Sequence, residues 1–417
     1  MTQSQRLTPI QIFDRPCGTG KTTKILRELD PNKKYLIVVP TLNEVERVIR
    51  DASVPFVQPR DDVGYSTKYD HLSVLLKTHK NIVTTHKLYS DIALLARAGC
   101  LQDRDIIIDE VLDVCSQVEG VSASSFEEIY LGSGYVSIGR DGSVRPTQKW
   151  DEDHASLADT LKTKIYCLAS AGMLFWQKPV LLKVLPRDLL VAGRSLKVCT
   201  YKAEGSMFVA YLNKLGIPYE IDVDPEEERS FKVLARQLID VRSISRLDKG
   251  SWSYSGQSKG GVAAQVVSSA LQQLRRKDLA GVALDCIIIT CRKDRWYLEG
   301  KSQGAKRRAG PYAKGSRLFE GSHWLANTTR GTNDFSHCSH AIYLYDQHMN
   351  PYIRQWLGLD GDREANDRYA LSELIQWVYR TRVRKGEPIV LYLPCKRMRR
   401  LFTEWLAEEE EILGIAA

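Results

Sequence analysis

The chain has 417 residues, 43% of them apolar and 26% charged, which is long enough for two or three compact domains. It has no apolar run that would span a bilayer and no secretory signal, so we expect a cytoplasmic protein with no membrane partner. Nine scattered cysteines, never arranged as C-x-x-C, argue against a disulfide framework and predict reduced core thiols. The net charge of +8 fits a nucleic-acid partner and fits an ordinary, slightly basic cytosolic protein equally well.

A glycine-rich turn lies between a predicted strand and a predicted helix near the start of the chain. The sequence FDRPCGTGKTTKIL spans residues 13–26, with the strand-like run PIQIFD before the turn and apolar residues at helical spacing after it. Such a turn offers backbone N–H groups to a polyanion, Lys21 adds a charge for the β- and γ-phosphates, and Thr22 has a hydroxyl suited to Mg²⁺. The sequence therefore predicts ATP and Mg²⁺ as cofactors, bound by Gly18, Thr19, Gly20, Lys21, Thr22 and Thr23.

Two further strand-like runs follow, and each ends in polar residues before a helix. KKYLIVVPTLNEVERVI has Pro40 and Thr41 at this position, and KNIVTTHKLYSDIALLARAG has Thr85 and His86. Hydroxyl groups and helix N-termini at strand ends suit the phosphates of a nucleic-acid backbone. We therefore predict nucleic-acid contacts at these four residues, with an ordinary β–α turn as an equal alternative.

The run RDIIIDEV predicts a strand that is buried on both faces and ends in two acidic residues. Because the carboxyl ends of parallel strands open onto the ligand crevice, Asp109 is expected beside the phosphate loop, where it holds the hydrated Mg²⁺. Glu110 is expected to polarise the attacking water. The predicted metal ligands are thus Thr22 and Asp109.

An insertion of about residues 116–193 follows this strand. Its segment YVSIGRDGSV alternates around Asp-Gly and predicts a β-hairpin. We interpret the insertion as a structural elaboration, with a nucleic-acid wedge or contact as the alternative. A strand and a helix, SLKVCTYKAEGSMFVAYLNKLG, are predicted after it.

The second half contains three stretches with candidate functional residues. GVALDCIIITCRKDRWYL predicts a buried strand that leads to Arg292, and a polar turn between two apolar runs contains Thr328, Arg330 and Asn333. ELIQWVYRTRVRKGEPIVLYLP predicts a helix and then a strand. Residues four apart share a helical face, so the helix is expected to present Gln376 and Arg380 together, with Arg382 and Arg384 at its exit.

Two other features are less specific. The segment of residues 301–319 interleaves cations with Gly, Pro and Tyr312, which favours phosphate contacts or a solvated loop. The sequence SHCSH contains His337, Cys338 and His340, but no fourth ligand stands at a suitable spacing, which argues against a metal site.

These stretches, in this order, resemble motifs I, Ia, Ib, II, IV, V and VI of superfamily 2 helicases, and look most like phage and other viral replicative helicases. RPCGTGKT resembles motif I, DEVL motif II, RGTN the core of motif V and QWVYRTRVR motif VI. The resemblance implies an α/β fold of two tandem RecA-like domains, 1–222 and 223–417, with parallel sheets flanked by helices. The insertion follows the strand that ends in motif II, also called the Walker B strand. ATP would be hydrolysed between the domains, with Arg380 as an arginine finger and Arg382 or Arg384 as the second.

The resemblance also implies a helicase or translocase that moves along single-stranded or duplex nucleic acid, with DNA favoured over RNA. It further implies a monomer that works with replication proteins in the host cytoplasm. Motif III is missing, since Thr200 and Tyr201 occupy its place, so hydrolysis is the firmer prediction and unwinding the weaker one. Leu112 excludes a DEAD-box protein proper.

Two other functions remain open from the sequence. One is a P-loop ATPase or small-molecule kinase with a partner other than nucleic acid. The other is a non-catalytic nucleic-acid-binding relict of the fold. Hydrolysis that no polynucleotide stimulates would indicate the first, and binding without turnover would indicate the second.

Overall fold

The computed structural model describes residues 8–62, 64–78, 81–154, 160–298, 308–314, 319–329 and 331–408. The strands are β1 Ile10–Asp14, β2 Lys34–Val39, β3 Phe56–Val57, β4 Asn81–Thr85, β5 Arg104–Asp109, β6 Cys115–Gln117, β7 Val136–Ile138, β8 Val144–Pro146, β9 Leu174–Gln177, β10 Val180–Val184, β11 Ser195–Thr200, β12 Tyr219–Val223, β13 Ile239–Arg242, β14 Ile287–Thr290, β15 Tyr297–Leu298, β16 Arg308–Ala309, β17 His323–Trp324, β18 His340–Tyr343 and β19 Ile389–Tyr392.

The α-helices are α1 Lys21–Arg27, α2 Leu42–Asp51, α3 Lys68–Lys77, α4 His86–Ser90, α5 Ala93–Arg97, α6 Ala123–Ser125, α7 Gln148–His154, α8 Thr160–Ser170, α9 Arg187–Val191, α10 Met207–Leu215, α11 Pro225–Leu238, α12 Tyr254–Ser258, α13 Ala264–Arg276, α14 Lys293–Trp296, α15 Pro351–Trp356, α16 Arg363–Val378 and α17 Lys396–Ala407. Among the described residues, none of these helices is both long enough and apolar enough to cross a membrane.

Spatial contacts divide the chain into two units. Unit 1 comprises the described parts of Met1–Phe13, Gly20–Asp222 and Asn350–Asp362. Unit 2 comprises Asp14–Thr19 and the described parts of Val223–Met349 and Arg363–Ala417.

Unit 1 is built on a seven-stranded sheet in the order β12, β1, β11, β5, β2, β4, β3. The pairs β11–β5, β5–β2, β2–β4 and β4–β3 are parallel. β5 is buried along its whole length, as expected for a central strand with both faces covered by helices. The registers pair Cys199 with Asp109 and Val39 with Thr85, so these strands end at one common edge of the sheet.

The insertion forms a small substructure of its own within unit 1. An antiparallel sheet of β6, β10 and β9 and the antiparallel hairpin β7–β8 surround a core of buried aromatic residues that includes Phe126, Tyr130 and Trp150. The predicted hairpin is confirmed. α15, which comes from the second half of the sequence, also belongs to unit 1, where Trp356 packs against Phe175 and Tyr211.

Unit 2 has a five-stranded sheet in the order β13, β19, β18, β14, β17, and each neighbouring pair is parallel. The α/β fold class predicted from the sequence, with two parallel sheets flanked by helices, is confirmed. The cysteines form no disulfide in the described chain. The prediction that all of them are core thiols is wrong, however, because Cys167 is exposed on α8 and Cys17, Cys100 and Cys286 are only partly buried.

Candidate nucleotide site

The glycine-rich turn leads directly into α1. Gly18 and Gly20 adopt φ values of 87° and 78°, in the left-handed region that glycine enters without steric cost. Lys21 is the first residue of α1, and its Nζ donates a hydrogen bond to the carbonyl oxygen of Thr200 at 3.0 Å. The lysine that follows the turn is therefore held at the end of β11, where the strands of unit 1 terminate.

Thr22 and Asp109 meet at the same edge of the sheet. Thr22 Oγ1 donates a hydrogen bond to Asp109 Oδ1 at 2.7 Å, although 87 residues separate them in sequence, and both side chains are buried. These two oxygen-bearing groups are the predicted Mg²⁺ ligands, and Mg²⁺ prefers oxygen ligands. The structure thus brings the residue after the loop lysine and the acid at the end of β5 into direct contact.

Asp109 lies in an environment that favours a cation. Burial raises the pKa of its carboxyl group, and the neighbouring charge of Glu110 raises it further, while the Thr22 hydrogen bond and the charges of Lys21 and Arg47 act against this. The Nη2 atom of Arg47 lies 3.5 Å from Asp109 Oδ2 and 2.7 Å from Glu44 Oε2. A divalent ion at Asp109 would relieve the cost of a buried carboxylate.

Glu110 follows Asp109 in an unusual backbone conformation. Its φ is 63°, in the left-handed region that residues other than glycine rarely adopt, and its N–H donates to the carbonyl oxygen of Cys199 at 2.9 Å. Such strain persists only where surrounding contacts impose it, and it is common at functional sites. The turn lets Glu110 directly follow Asp109, the last residue of β5, at one edge of the sheet.

His86 contacts the same strand end. Its Nε2 lies 2.8 Å from the carbonyl oxygen of Asp109, and since a carbonyl only accepts, Nε2 is the protonated nitrogen. Burial lowers the pKa of His86 below its usual value, so the ring is neutral at pH 7. The structure therefore places this predicted nucleic-acid residue against the backbone of Asp109, the predicted metal ligand.

The ends of β2 and β4 border a groove in unit 1. A cavity of about 440 Å³ is lined by the predicted residues Pro40, Thr41 and Thr85 together with two cations, Lys68 and Lys87. The sequence pattern did not single out these lysines, although Lys87 directly follows His86. Hydroxyl groups and two cations around one groove suit a phosphodiester backbone.

We expect replacement of Lys68 and Lys87 by alanine to weaken binding of single-stranded nucleic acid and to lower its salt dependence. Each lost phosphate contact should reduce the slope of log K against log salt by about 0.7, because one fewer counterion is released. Fluorescence anisotropy across a salt series measures this slope. Lys77→Ala, at the other end of α3, is the matched control and should leave the slope unchanged. Equal slopes in all three proteins would contradict the proposal that nucleic acid binds in this groove.

A second cavity, of about 610 Å³, opens in unit 2 at the carboxyl end of β14. The predicted residue Arg292 lies there, with the guanidinium carbon 4.0 Å from the ring centroid of Tyr254, and Trp324 and Tyr345 also line the cavity. Tyr254 is 63% exposed. An arginine among accessible aromatic rings is typical of surfaces that stack nucleic-acid bases. Thr328, which follows Trp324 closely in sequence, is exposed. Arg330 lies outside the described residues.

We expect Tyr254→Ala to weaken binding of single strands by about 1–3 kcal/mol, because a stacked base contributes roughly that amount. Tyr254→Phe keeps the ring and should bind like the parent chain. Equilibrium titration of a labelled oligonucleotide measures both variants. Loss of affinity in the phenylalanine variant as well would assign the effect to the hydroxyl group and contradict stacking.

The predicted arginines of the second half lie around the end of α16. This helix ends at Val378, because the Arg380 N–H bonds to Trp377 and the Thr381 hydroxyl donates to the Val378 carbonyl at 2.7 Å. The prediction that Gln376 and Arg380 share one continuous helical face is therefore wrong. Gln376 lies within α16 and Arg380 lies beyond its end.

Arg380 instead connects two of the predicted motifs. It is 5% exposed, and its Nη1 donates to the carbonyl oxygen of Thr332 at 3.3 Å, directly beside Asn333. Gln376 is buried and bonds to Ser372. Arg382 bonds to the Pro388 carbonyl at 2.7 Å.

Arg384 lies near the glycine-rich turn, whose residues Asp14–Thr19 belong to unit 2. A Cβ atom added to Gly18 would come within 3.2 Å of Arg384 Cγ. Of the basic segment 301–319, Lys301, Lys306, Arg307 and Arg317 lie outside the described residues. Tyr312, for which the sequence predicts phosphate contacts or a solvated loop, is instead almost fully buried.

Comparisons with known proteins identify the fold. Residues 236–406 match the sequence model of the YonV C-terminal Rossmann-like domain. Over 426 residues the chain is 24% identical to the SPbeta prophage-derived uncharacterized protein YonV of Bacillus subtilis (strain 168), with 96% of this chain and 99% of that protein covered.

Among solved structures, XPD_APO and XPD_Helicase match with TM-scores of 0.53 and 0.54 at 15% and 13% sequence identity. The matches cover 96% and 97% of this chain and 95% of each of those chains. At such identities the likeness shows the fold alone. It confirms the fold that the motif resemblance implies, with two tandem RecA-like domains.

Proposed function

We propose that this chain is an ATP-dependent helicase or translocase that acts on nucleic acid. The observation that carries the proposal is the 2.7 Å contact between Thr22 and Asp109, beside Lys21, on a helicase-like fold. A hydroxyl and a carboxylate that converge next to a lysine at the end of parallel strands form the arrangement that binds Mg²⁺ and a triphosphate in P-loop ATPases.

In this proposal each site residue has one role. The turn with Gly18, Thr19 and Gly20 binds the phosphates together with Lys21 and Thr23, and Thr22 and Asp109 hold Mg²⁺. Glu110 orients and activates the attacking water. From domain 2, Asn333 and Gln376 contact the nucleotide, and Arg380 stabilises the charge that develops on the transferred phosphoryl group. Arg384 is favoured over Arg382 as the second arginine because it approaches Gly18.

The proposed nucleic-acid contacts are the groove at Pro40, Thr41 and Thr85 in domain 1, and Arg292, Thr328 and Arg330 in domain 2. The proposed domains are 1–222 and 223–417. DNA is favoured over RNA, with the protein acting as a monomer alongside replication proteins. The prophage origin of YonV supports a role in phage replication or recombination inside the host cytoplasm.

The test is an ATPase assay with single-stranded DNA, duplex DNA and RNA in parallel, over a range of salt concentrations. We expect Mg²⁺-dependent hydrolysis that single-stranded DNA stimulates and that salt suppresses, because phosphate contacts are screened. Hydrolysis without stimulation by any polynucleotide would favour an ATPase with another partner. Binding without hydrolysis would favour a non-catalytic relict of the fold.

A further inference from the structure

Two histidines and a cysteine, none of them assigned to the nucleotide or to nucleic acid, come together in unit 2. Ligand atoms of His323, His337 and Cys338 all lie within 4.8 Å of one another. His323 begins β17, while the other two precede β18, so the cluster lies at the amino end of the sheet. Arg292 follows β14 at the opposite, carboxyl end.

The spacing of these atoms is close to that of a tetrahedral zinc site. Zn–N and Zn–S bonds of about 2.05 and 2.3 Å put the nitrogen and sulfur of such a site about 3.6 Å apart. Cys338 Sγ lies 3.9 Å from His337 Nε2. This pair is close to zinc-site spacing, and the ligand atoms of all three residues lie within 4.8 Å of one another.

The polar atoms of the cluster have few hydrogen-bond partners in the described part of the chain. His337 Nε2 and Cys338 Sγ are 3.0 and 3.5 Å from one acceptor, the carbonyl oxygen of Asp285, so two donors share one oxygen. The Nε2 atom of His323 is buried and has no hydrogen-bond partner in the described part of the chain. A buried polar atom without a partner is costly, and coordination of a metal ion is one way a histidine nitrogen is satisfied.

We propose that His323, His337 and Cys338 bind a zinc ion. Zn²⁺ displaces the thiol proton of Cys338, and the two neutral imidazoles each provide one nitrogen lone pair. His337 is exposed, so a water molecule has access to the fourth position, from which it donates to the Asp285 carbonyl.

The ion would have a structural role next to the arginine-bearing segment. The carbonyl oxygen of Cys338 accepts a hydrogen bond from the backbone N–H of Arg382 at 3.1 Å. Fixing Cys338 therefore also fixes the start of the short helix Arg382–Lys385, which includes Arg384. The sequence argued against a metal because no fourth ligand stands at a suitable spacing from His337, Cys338 and His340. The structure groups His337 and Cys338 with His323, which comes from another strand.

The experiment is a titration of the purified, metal-stripped full chain with Co²⁺, which takes the same geometry as Zn²⁺ and shows a thiolate-to-cobalt absorption band. We expect one equivalent of Co²⁺ to bind and to produce this band. Zn²⁺ should displace the cobalt and remove the band, and either ion should raise the melting temperature. Cys338→Ser should abolish the band. His337→Asn, at an exposed position with little risk to folding, should weaken binding at least tenfold.

Cys167→Ser removes an exposed thiol of unit 1 and serves as the control, which should bind like the parent chain. No band in the parent chain, a band that survives in Cys338→Ser, or unchanged Co²⁺ affinity in His337→Asn would overturn the proposal. This readout does not depend on ATP hydrolysis, so its outcome is separate from that of the proposed function.

Discussion

Lys21→Ala is expected to reduce ATP turnover at least 10²–10³-fold, the loss typical of removing one preorganised group that stabilises phosphoryl transfer. The lysine provides the positive side-chain charge at the start of α1, and its Nζ is already positioned at the strand ends by Thr200. Alanine cannot replace this charge, and both ATP affinity and kcat should fall. Steady-state ATPase assays and nucleotide titration measure the two effects.

Lys24→Ala is the matched control for this variant. Lys24 lies three residues further along α1 and is exposed, so its removal should leave turnover within about twofold of the parent chain. Thermal melting should show that both variants remain folded, since neither side chain belongs to the hydrophobic core. Turnover above a tenth of the parent rate in the Lys21 variant would refute the assignment of the phosphate site.

Glu110→Gln is expected to lower kcat about 10²–10⁴-fold while ATP still binds. Glutamine has the same shape and fits the same left-handed backbone, but its amide cannot take a proton from the attacking water. Asp109 and Thr22 keep their 2.7 Å contact, so Mg²⁺ and ATP should be retained. Single-turnover hydrolysis and ATP affinity, measured on the same preparation, separate the two effects.

Asp113→Asn provides the comparison, because Asp113 is an exposed acid three residues beyond Glu110. It should hydrolyse ATP at nearly the parent rate. If the Glu110 variant lost ATP affinity as strongly as it lost kcat, the residue would belong to the binding site and not to the chemical step. Unchanged kcat would remove Glu110 from the mechanism altogether.

Local patterns in the sequence were enough to predict that Asp109 and Thr22 lie at one edge of the sheet of unit 1. The apolar run before Asp109 indicated a central parallel strand, and strands of one parallel sheet end at a common edge. That rule alone predicted that Asp109 would lie near Thr22. Thr200, which occupies the place of motif III, accepts a hydrogen bond from Lys21 through its carbonyl oxygen.

Other site features depend on contacts that no local pattern reveals. Arg47 reaches Asp109 from α2, and this requires knowing how α2 packs on the sheet. The end of α16 at Val378 depends on a hydrogen bond from Thr381, which competes with helix continuation. His323 joins His337 only because β17 and β18 both flank β14. Each of these is a tertiary effect.

The return of α15 to unit 1 has a practical consequence for anyone who divides this protein. A fragment cut after Asp222 would retain Phe175 and Tyr211 but lose Trp356, the ring that covers them. Lys214, whose ammonium group lies 4.8 Å from the same indole, would lose its partner too. Such a fragment should expose an apolar surface and aggregate. Fusing residues 350–362 to its C-terminus through a flexible linker should restore solubility.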